Sequence, residues 1–385
     1  MHNEILHFNQ GADETNKEMK AIKDLLIQKI TAIVHKVYPE FEVKTYGSYS
    51  TGLGLHWSDI DLVVSEAKSG SNSNVQAFDN FNHMNRFPFE SPLTLIQETL
   101  KSEKYENAQW LQKIMYINAK WPIINLSCSL MTLAEQEGIP IRPKYRYVYE
   151  QEFQMDISHM IDGKHPGNMQ QEHTGHKVIQ VVNVYLKECN ILKPLMLVLK
   201  QLLKVNGLNT PRYGGLGSYG LLMMIVGYLQ YRDRYDNVDQ QFINFGLILW
   251  EFLLFYSQFD FRQYIIACRL PPELQEYEDR CDPNLYMNFK GIMDKKDYIQ
   301  LDKYFDIRGS DHLQISDPLQ RTNDVSRSSS QFHKIQEIFG VAIEQLYYSC
   351  ACTNHFSRTA NEMYLKQVQD FKSVNQLLLQ CQNQN

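Results

Sequence analysis

The sequence predicts an α+β domain followed by a mostly helical one. A helical stripe followed by strand-like runs marks the N-terminal part, and helical periodicity dominates after Gly175. With 385 residues, 43% of them hydrophobic and 12% aromatic, the chain is long and apolar enough for two or three domains rather than one small core.

In chain order, Glu14 to His35 places Met19, Ile22, Leu25, Leu26, Ile30 and Ile33 along one helical face, and Pro39 ends that helix. Phe41 to Tyr46 alternates as a strand, and Ile60 to Val64 is an apolar run of strand length. Between them, Gly47 to Trp57 holds three glycines and several hydroxyls, the composition of a turn with a short helix. Ser69 to Asn74 reads as a polar loop. Pro92 opens a helix to about Glu103, and Trp110 to Ile117 and Pro122 to Leu126 follow as strands. Met131 to Tyr149 is polar, carries two prolines and reads as an insertion before a further strand at Phe153 to Ile157. Helices are expected at Lys177 to Glu188, Lys193 to Val205, Ser218 to Tyr231, Phe242 to Phe255, Gln331 to Ser349 and, in a Gln/Asn-rich tail, Gln367 to Gln380.

Charge and cysteines exclude several functions. The net charge is −6, from 38 basic against 44 acidic side chains, so any polyanion is held locally and not by a global basic surface. Seven cysteines form no CxxC pair, which argues against a zinc ribbon or a disulfide framework. No RRM, KH or zinc-finger pattern occurs. The N-terminal residues carry no signal-peptide pattern, and Leu221 to Tyr228 and Phe245 to Tyr256 are too short to span a bilayer. The expectation is a soluble nuclear or cytoplasmic protein without a membrane partner.

Asp59-Ile60-Asp61 opens an apolar strand, so both carboxylates share one face while Ile60 points to the core. Two converging carboxylates favour a hard divalent cation, Mg²⁺ or Mn²⁺. Alone, the pair equally fits a solvated strand edge. Upstream, Tyr46-Gly47-Ser48-Tyr49-Ser50-Thr51-Gly52 ends a strand in glycine and hydroxyls. Such a turn lets backbone N–H groups approach a phosphate, and Ser48 adds a donor. A phosphate cradle close to a metal pair describes a nucleoside triphosphate site, and no GxxxxGK[ST] loop competes with it.

These residues resemble a known family. Gly47-Ser48 followed by Ser58-Asp59-Ile60-Asp61-Leu62-Val63-Val64 is similar to the signature of DNA polymerase β-type nucleotidyltransferases. The fuller string YGSYSTGLGLHWSDIDLVV resembles noncanonical poly(A) polymerases and terminal uridylyltransferases. The resemblance implies a polymerase-β-like nucleotidyltransferase domain, with a mixed sheet and helices, at 38–160, including an insertion at about 128–150. Residues 1–37 and 161–364 would form the helical central and poly(A)-polymerase-associated domain across a cleft, with 365–385 as the tail. It also implies a third metal carboxylate, best matched by Asp156 in Phe153-Gln154-Met155-Asp156-Ile157-Ser158, and two-metal catalysis of template-independent ribonucleotide addition to an RNA 3′ end.

The resemblance extends from about Lys17 to Leu346. Lys200 and Lys204 lie four residues apart on one helix face and, by resemblance, hold the β- and γ-phosphates. Thr174 stands where relatives carry an Asn at the ribose. In Gly214-Gly215-Leu216-Gly217-Ser218-Tyr219-Gly220, Ser218 would contact phosphate and Tyr219 would stack on the base. Asn244 through Tyr256, then Phe259-Asp260-Phe261, is similar to the poly(A)-polymerase-associated helix. Asp317 through Ser329 is similar to the nucleotide recognition loop. Asn323 occupies the place where uridylyl-specific relatives carry a histidine. Its shorter amide leaves room for a purine, so ATP is expected ahead of UTP, although Gln320 departs from the family pattern. Expected partners are an RNA 3′ end, ATP and/or UTP, and a protein that supplies the RNA. The competing readings are strict UTP transfer, transfer to a small molecule or oligonucleotide, and a non-catalytic scaffold.

Overall fold

The computed structural model describes residues 1–66, 91–118, 122–160, 164–165, 168–172, 175–232, 244–271, 274, 289–301, 305, 307, 311–320 and 322–352. The expectations at Ser69 to Asn74, at Thr174 and in the 365–385 tail lie outside these residues.

Five strands form a mixed sheet in the order β1-β2-β5-β4-β3. They are β1 (Phe41–Tyr46), β2 (Ile60–Glu66), β3 (Leu111–Ile117), β4 (Ile123–Ser129) and β5 (Glu152–Met160). β2 and β5 run parallel, and the other neighbours are antiparallel. The period-two pattern divides the sheet's faces. Ile60, Leu62 and Val64 of β2, Met155 and Ile157 of β5, and Ile124 and Leu126 of β4 are fully buried on one face. Against that core pack α1 (His2–Val37), through Met19, Ile22, Leu26 and Ile30, and α3 (Pro92–Glu106), through Leu93, Ile96 and Leu100. Ser91 caps α3 by accepting from the Leu93 amide, and Pro92 sits at its first turn, where a missing N–H does no harm.

The packing divides the stretch 1–37, which the resemblance places wholly in the helical part. Met19 through Val34 sit in the sheet core, while Ile5 sits in the helical core. The stretch between β4 and β5 is packed rather than appended. In it, α4 (Leu130–Gln136) buries Leu130, Leu133 and Ala134, α5 (Arg146–Tyr149) buries Val148 and Tyr149, and all five side chains join the sheet core. Pro140, Pro143 and most of its polar residues lie on the exposed side of this connection between antiparallel neighbours.

The second core is built from α6 (Gly175–Glu188), α7 (Leu192–Val205), α8 (Ser218–Tyr231), α9 (Phe245–Ser257) and α11 (Phe332–Cys352). α8 is buried on every side from Gly220 to Gln230, as its near-continuous apolar sequence requires. This region also carries a three-stranded sheet absent from the sequence expectation. Its order is β8-β6-β7, from β6 (Tyr264–Ala267), β7 (Gly291–Asp294), which leads into α10 (Lys295–Leu301), and β8 (Ile315–Ser316). Strands of two to four residues are too short to show a period. A small third cluster of Ala12, Leu55 and Leu197, with Phe8 and Trp57 against it, joins the two cores. Among the described residues, no helix is long and apolar enough to cross a membrane, and Cys128, Cys189 and Cys268 are buried and form no disulfide.

Candidate active site

Strand register brings the acidic residues together on the sheet face opposite the core. Tyr46 pairs with Asp61, Asp61 with Asp156, and Asp156 with Asn125, a row across β1, β2, β5 and β4. Asp59 precedes β2. Carboxylate oxygens of Asp59, Asp61 and Asp156 all lie within 4.8 Å of one another. Burial, then the charges of Asp59 and Asp156, push the Asp61 carboxyl well above the usual carboxylate range. Asp156 is also raised, first by burial and further by Asp59, while the Asn125 hydrogen bond and Arg212 pull it down. Three hard oxygen donors held this close repel one another unless a cation neutralises them. The set therefore fits Mg²⁺ or Mn²⁺ and does not fit a soft metal.

Gly47 makes that approach possible. Its φ is +68°, and a Cβ built on it would lie 2.1 Å from Asp61 Oδ2. Only glycine combines this backbone with this proximity. Ser48 follows in the short helix α2 (Gly47–Thr51), half-buried beside the carboxylates.

Side chains from the helices suspend the loop between α2 and β2. Asn16 Nδ2 of α1 donates to the Gly54 carbonyl at 2.7 Å, and Lys23 Nζ to the His56 carbonyl at 3.2 Å. From α7, Lys200 Nζ donates to the Leu53 carbonyl at 3.0 Å and to Ser58 Oγ at 3.3 Å. Trp57 Nε1 donates to Gln201 Oε1 at 2.8 Å. Burial lowers both Lys23 and Lys200 to about 8, opposed for both by the Asp59 carboxylate. The two lysines expected as a pair therefore differ. Lys200 is buried and bonded to the loop, whereas Lys204 is exposed, with its ammonium 5.0 Å from the Trp57 ring centre.

A second group forms where α8 meets the 317–329 loop. Tyr219 Oη donates to Asp317 Oδ1 at 3.2 Å, Asn323 Nδ2 to Asp317 Oδ2 at 2.9 Å, and the Leu319 amide to Asp317 Oδ1 at 3.0 Å. Asp317 is buried, and burial raises its carboxyl despite these donors. It acts as the hub that orders Tyr219 and Asn323. Ser218 is exposed at the first turn of α8. The preceding glycines press against neighbours: a Cβ on Gly215 would lie 2.4 Å from the Leu208 carbonyl oxygen, and the Gln331 amide donates to the Gly214 carbonyl at 2.9 Å. Sequence reasoning missed Asn125, whose Nδ2 donates to Asp156 Oδ1 at 2.7 Å, as well as Lys23, Trp57 and Arg212.

The central palm domain model of mitochondrial-like poly(A) RNA polymerases matches residues 1–136. Poly(A) RNA polymerase cid14 of Schizosaccharomyces pombe is 25% identical over 379 residues, 97% of this chain and 44% of the relative. An inactive noncanonical poly(A) RNA polymerase protein of Drosophila melanogaster, Trf4-2, is 22% identical over 90% of this chain and 68% of its own length. This chain spans under half the length of several of its poly(A) polymerase relatives. Among solved structures, the polymerase core of the RNA surveillance complex TRAMP aligns with a TM-score of 0.58 at 20% identity, over 89% of this chain and 84% of that one. The Cid1 poly(U) polymerase aligns with 0.54 at 20% identity, over 90% and 94%. A histidine-to-asparagine variant of Cid1 bound to MgATP aligns with 0.55 at 18% identity, over 94% and 99%. The shared architecture is the polymerase-β-like nucleotidyltransferase fold with its helical companion.

Proposed function

We propose that the chain is a member of the noncanonical poly(A) polymerase and terminal uridylyltransferase family, and that it adds ribonucleotides to RNA 3′ ends without a template. The carrying observation is the cluster of Asp59, Asp61 and Asp156, with oxygens within 4.8 Å of one another beside the Gly47-Ser48 turn. Trf4-2, named as inactive, makes family membership alone an insufficient argument, and the complete carboxylate set is what favours activity here.

In this reading Asp59, Asp61 and Asp156 hold divalent cations, which supply charge neutralisation at the triphosphate and at the attacking hydroxyl. The Asp156 carboxylate, oriented by Asn125, receives the 3′-hydroxyl proton. Gly47 brings the backbone close to the phosphates, and Ser48 and Ser218 offer hydroxyl donors. Lys204 places a cation on the triphosphate, and Tyr219 provides the ring beside the base. Thr174 is kept as the candidate ribose contact from its sequence position.

Base choice rests on Asn323. An ionised carboxylate only accepts, so the amide group of Asn323 faces Asp317, and the side-chain carbonyl oxygen is turned away from it. An acceptor there suits the exocyclic amine of adenine and opposes the carbonyl edge of uracil. A histidine-to-asparagine variant of a similarly folded poly(U) polymerase is described bound to MgATP. We therefore assign ATP as the preferred substrate and UTP as the second. With a net charge of −6, the chain grips RNA weakly, and a partner protein supplies the substrate.

The test is a labelled RNA primer incubated with the purified chain, Mg²⁺ or Mn²⁺, and each nucleoside triphosphate in turn. Extension with ATP exceeding that with UTP is expected. No extension with any nucleotide would refute the proposal.

A further inference from the structure

Trp57 belongs to neither the carboxylates nor the nucleotide loop, yet it joins the Asp59 loop to the helix that carries Lys200 and Lys204. It stands two residues before Asp59 and is half-buried against the small cluster of Ala12, Leu55 and Leu197. Its indole N–H is held by Gln201 Oε1 at 2.8 Å. Its ring lies 5.0 Å from Lys204 Nζ and 5.7 Å from Lys200 Nζ, measured to the centroid.

The two lysines stand differently toward this ring. Lys200 has its ammonium bonded to Leu53 and Ser58 and is buried, so the indole adds little to its placement. Lys204 is exposed on a four-carbon stem, and its ammonium lies over the indole face. A cation over the face of a tryptophan is attracted by the ring quadrupole. An otherwise mobile lysine placed in advance also loses less conformational freedom when a phosphate arrives.

We propose that Trp57 is a positioning residue for the triphosphate. Its indole, fixed by Gln201, holds the Lys204 ammonium at a set place relative to the Asp59 loop, so that one nucleotide meets the metal carboxylates and the lysine together. This deepens the nucleotidyl-transfer reading and rests on it. Because Gln201 and Lys204 share α7 while Trp57 and Asp59 share the loop, the contact ties the two halves of the triphosphate site.

The test replaces Trp57 site-specifically with mono-, di- and trifluorinated tryptophan, which weakens the ring's attraction for a cation while keeping its shape. KM for ATP in primer extension and Kd for Mg·ATP by calorimetry are both measured. Stepwise weakening is expected, reaching about fivefold at the trifluoro stage, with kcat unchanged. In a Lys204→Met background, fluorination should have no effect. Gln201→Leu should raise KM in the same direction, through a less firmly held ring. KM and Kd independent of fluorination in the folded chain would overturn the proposal, as would an equal dependence in the Lys204→Met background. Binding is read apart from turnover. A wild-type chain that binds Mg·ATP but extends no primer therefore fails the functional reading alone, and the calorimetric series still decides the role of Trp57. A wild-type chain that binds no nucleotide overturns both.

Discussion

Replacing Gly47 by alanine separates two consequences of one methyl group. The first is backbone strain: at φ +68° an L-residue with a Cβ costs about 1 kcal/mol. The second is a collision, because the new carbon would lie 2.1 Å from Asp61 Oδ2 and 3.1 Å from its Cγ. Ordinary contact begins near 3.4 Å, so the carboxylate must move by about 1 Å or more. Asp61 has little space to absorb this, since it is half-buried and flanked by Tyr46 and Asp156 in the sheet register. A displacement of about 1 Å in a catalytic group can reduce turnover about 100-fold. Gly52→Ala is the internal control: its φ of +70° carries the same strain, and nothing lies within 4 Å of its added Cβ. Denaturant unfolding should show both variants losing about 1 kcal/mol, with Gly47→Ala losing somewhat more. Primer extension should fall about 100-fold for Gly47→Ala and by less than threefold for Gly52→Ala. Equal activity loss in the two variants, or full activity in Gly47→Ala, would refute the steric argument.

Three other perturbations address neighbouring parts of the site. Asn125→Ala removes the donor that favours ionised Asp156, so the acid limb of the kcat/KM profile should move up by about one pH unit; an unmoved limb would dissociate Asp156 from the titration. Because Asp61 and Asp156 are raised, the metal-free folded chain binds more protons than the unfolded chain above about pH 4, and its stability falls as pH climbs through the raised values. Mg²⁺ removes that penalty, so its increment in melting temperature should be larger at about pH 8 than at about pH 5, and an increment independent of pH would count against metal binding here. For the same reason Asp61→Asn should abolish extension while raising the melting temperature in EDTA by roughly 2 °C. Asn323→His should reverse the preference from ATP to UTP in paired primer-extension assays, and an unchanged ratio would remove Asn323 from base selection.

What could be read in the sequence was what is local in it. The Gly47-Ser48 turn and the Asp59/Asp61 pair are short strings, and strand periodicity alone puts both acids on one face. Asn125 was not legible. It is a polar residue in a strand like many others, and only the pairing of β4 with β5 brings it to Asp156. Lys23 failed for a different reason. On an isolated amphipathic helix a lysine belongs to the solvated side, but α1 has cores on more than one side, so a position off the main stripe is still buried. The Lys200/Lys204 spacing predicted a shared face and could not foresee that one ammonium would be spent on the loop carbonyl of Leu53. The buried role of Asp317 likewise emerges only once α8 and the 317–329 loop meet.

These misses share a physical cause that bears on how the site works. The loop preceding β2 has too few residues to hold its own shape, and its internal bonds are limited to Leu55 with Ser58. Its remaining fixed carbonyls, at Leu53, Gly54 and His56, are held by Lys200, Asn16 and Lys23, from two helices far apart in sequence. Asp59 and Asp61 therefore take their positions from both cores at once: β2 sets their direction, and α1 and α7 set the loop from which they emerge. A carboxylate pair whose mutual repulsion favours separation needs such external constraint to stay converged before a cation arrives. The residues a motif search recognises supply the chemistry, and the scattered lysines and amides it passes over supply the geometry that lets the chemistry occur.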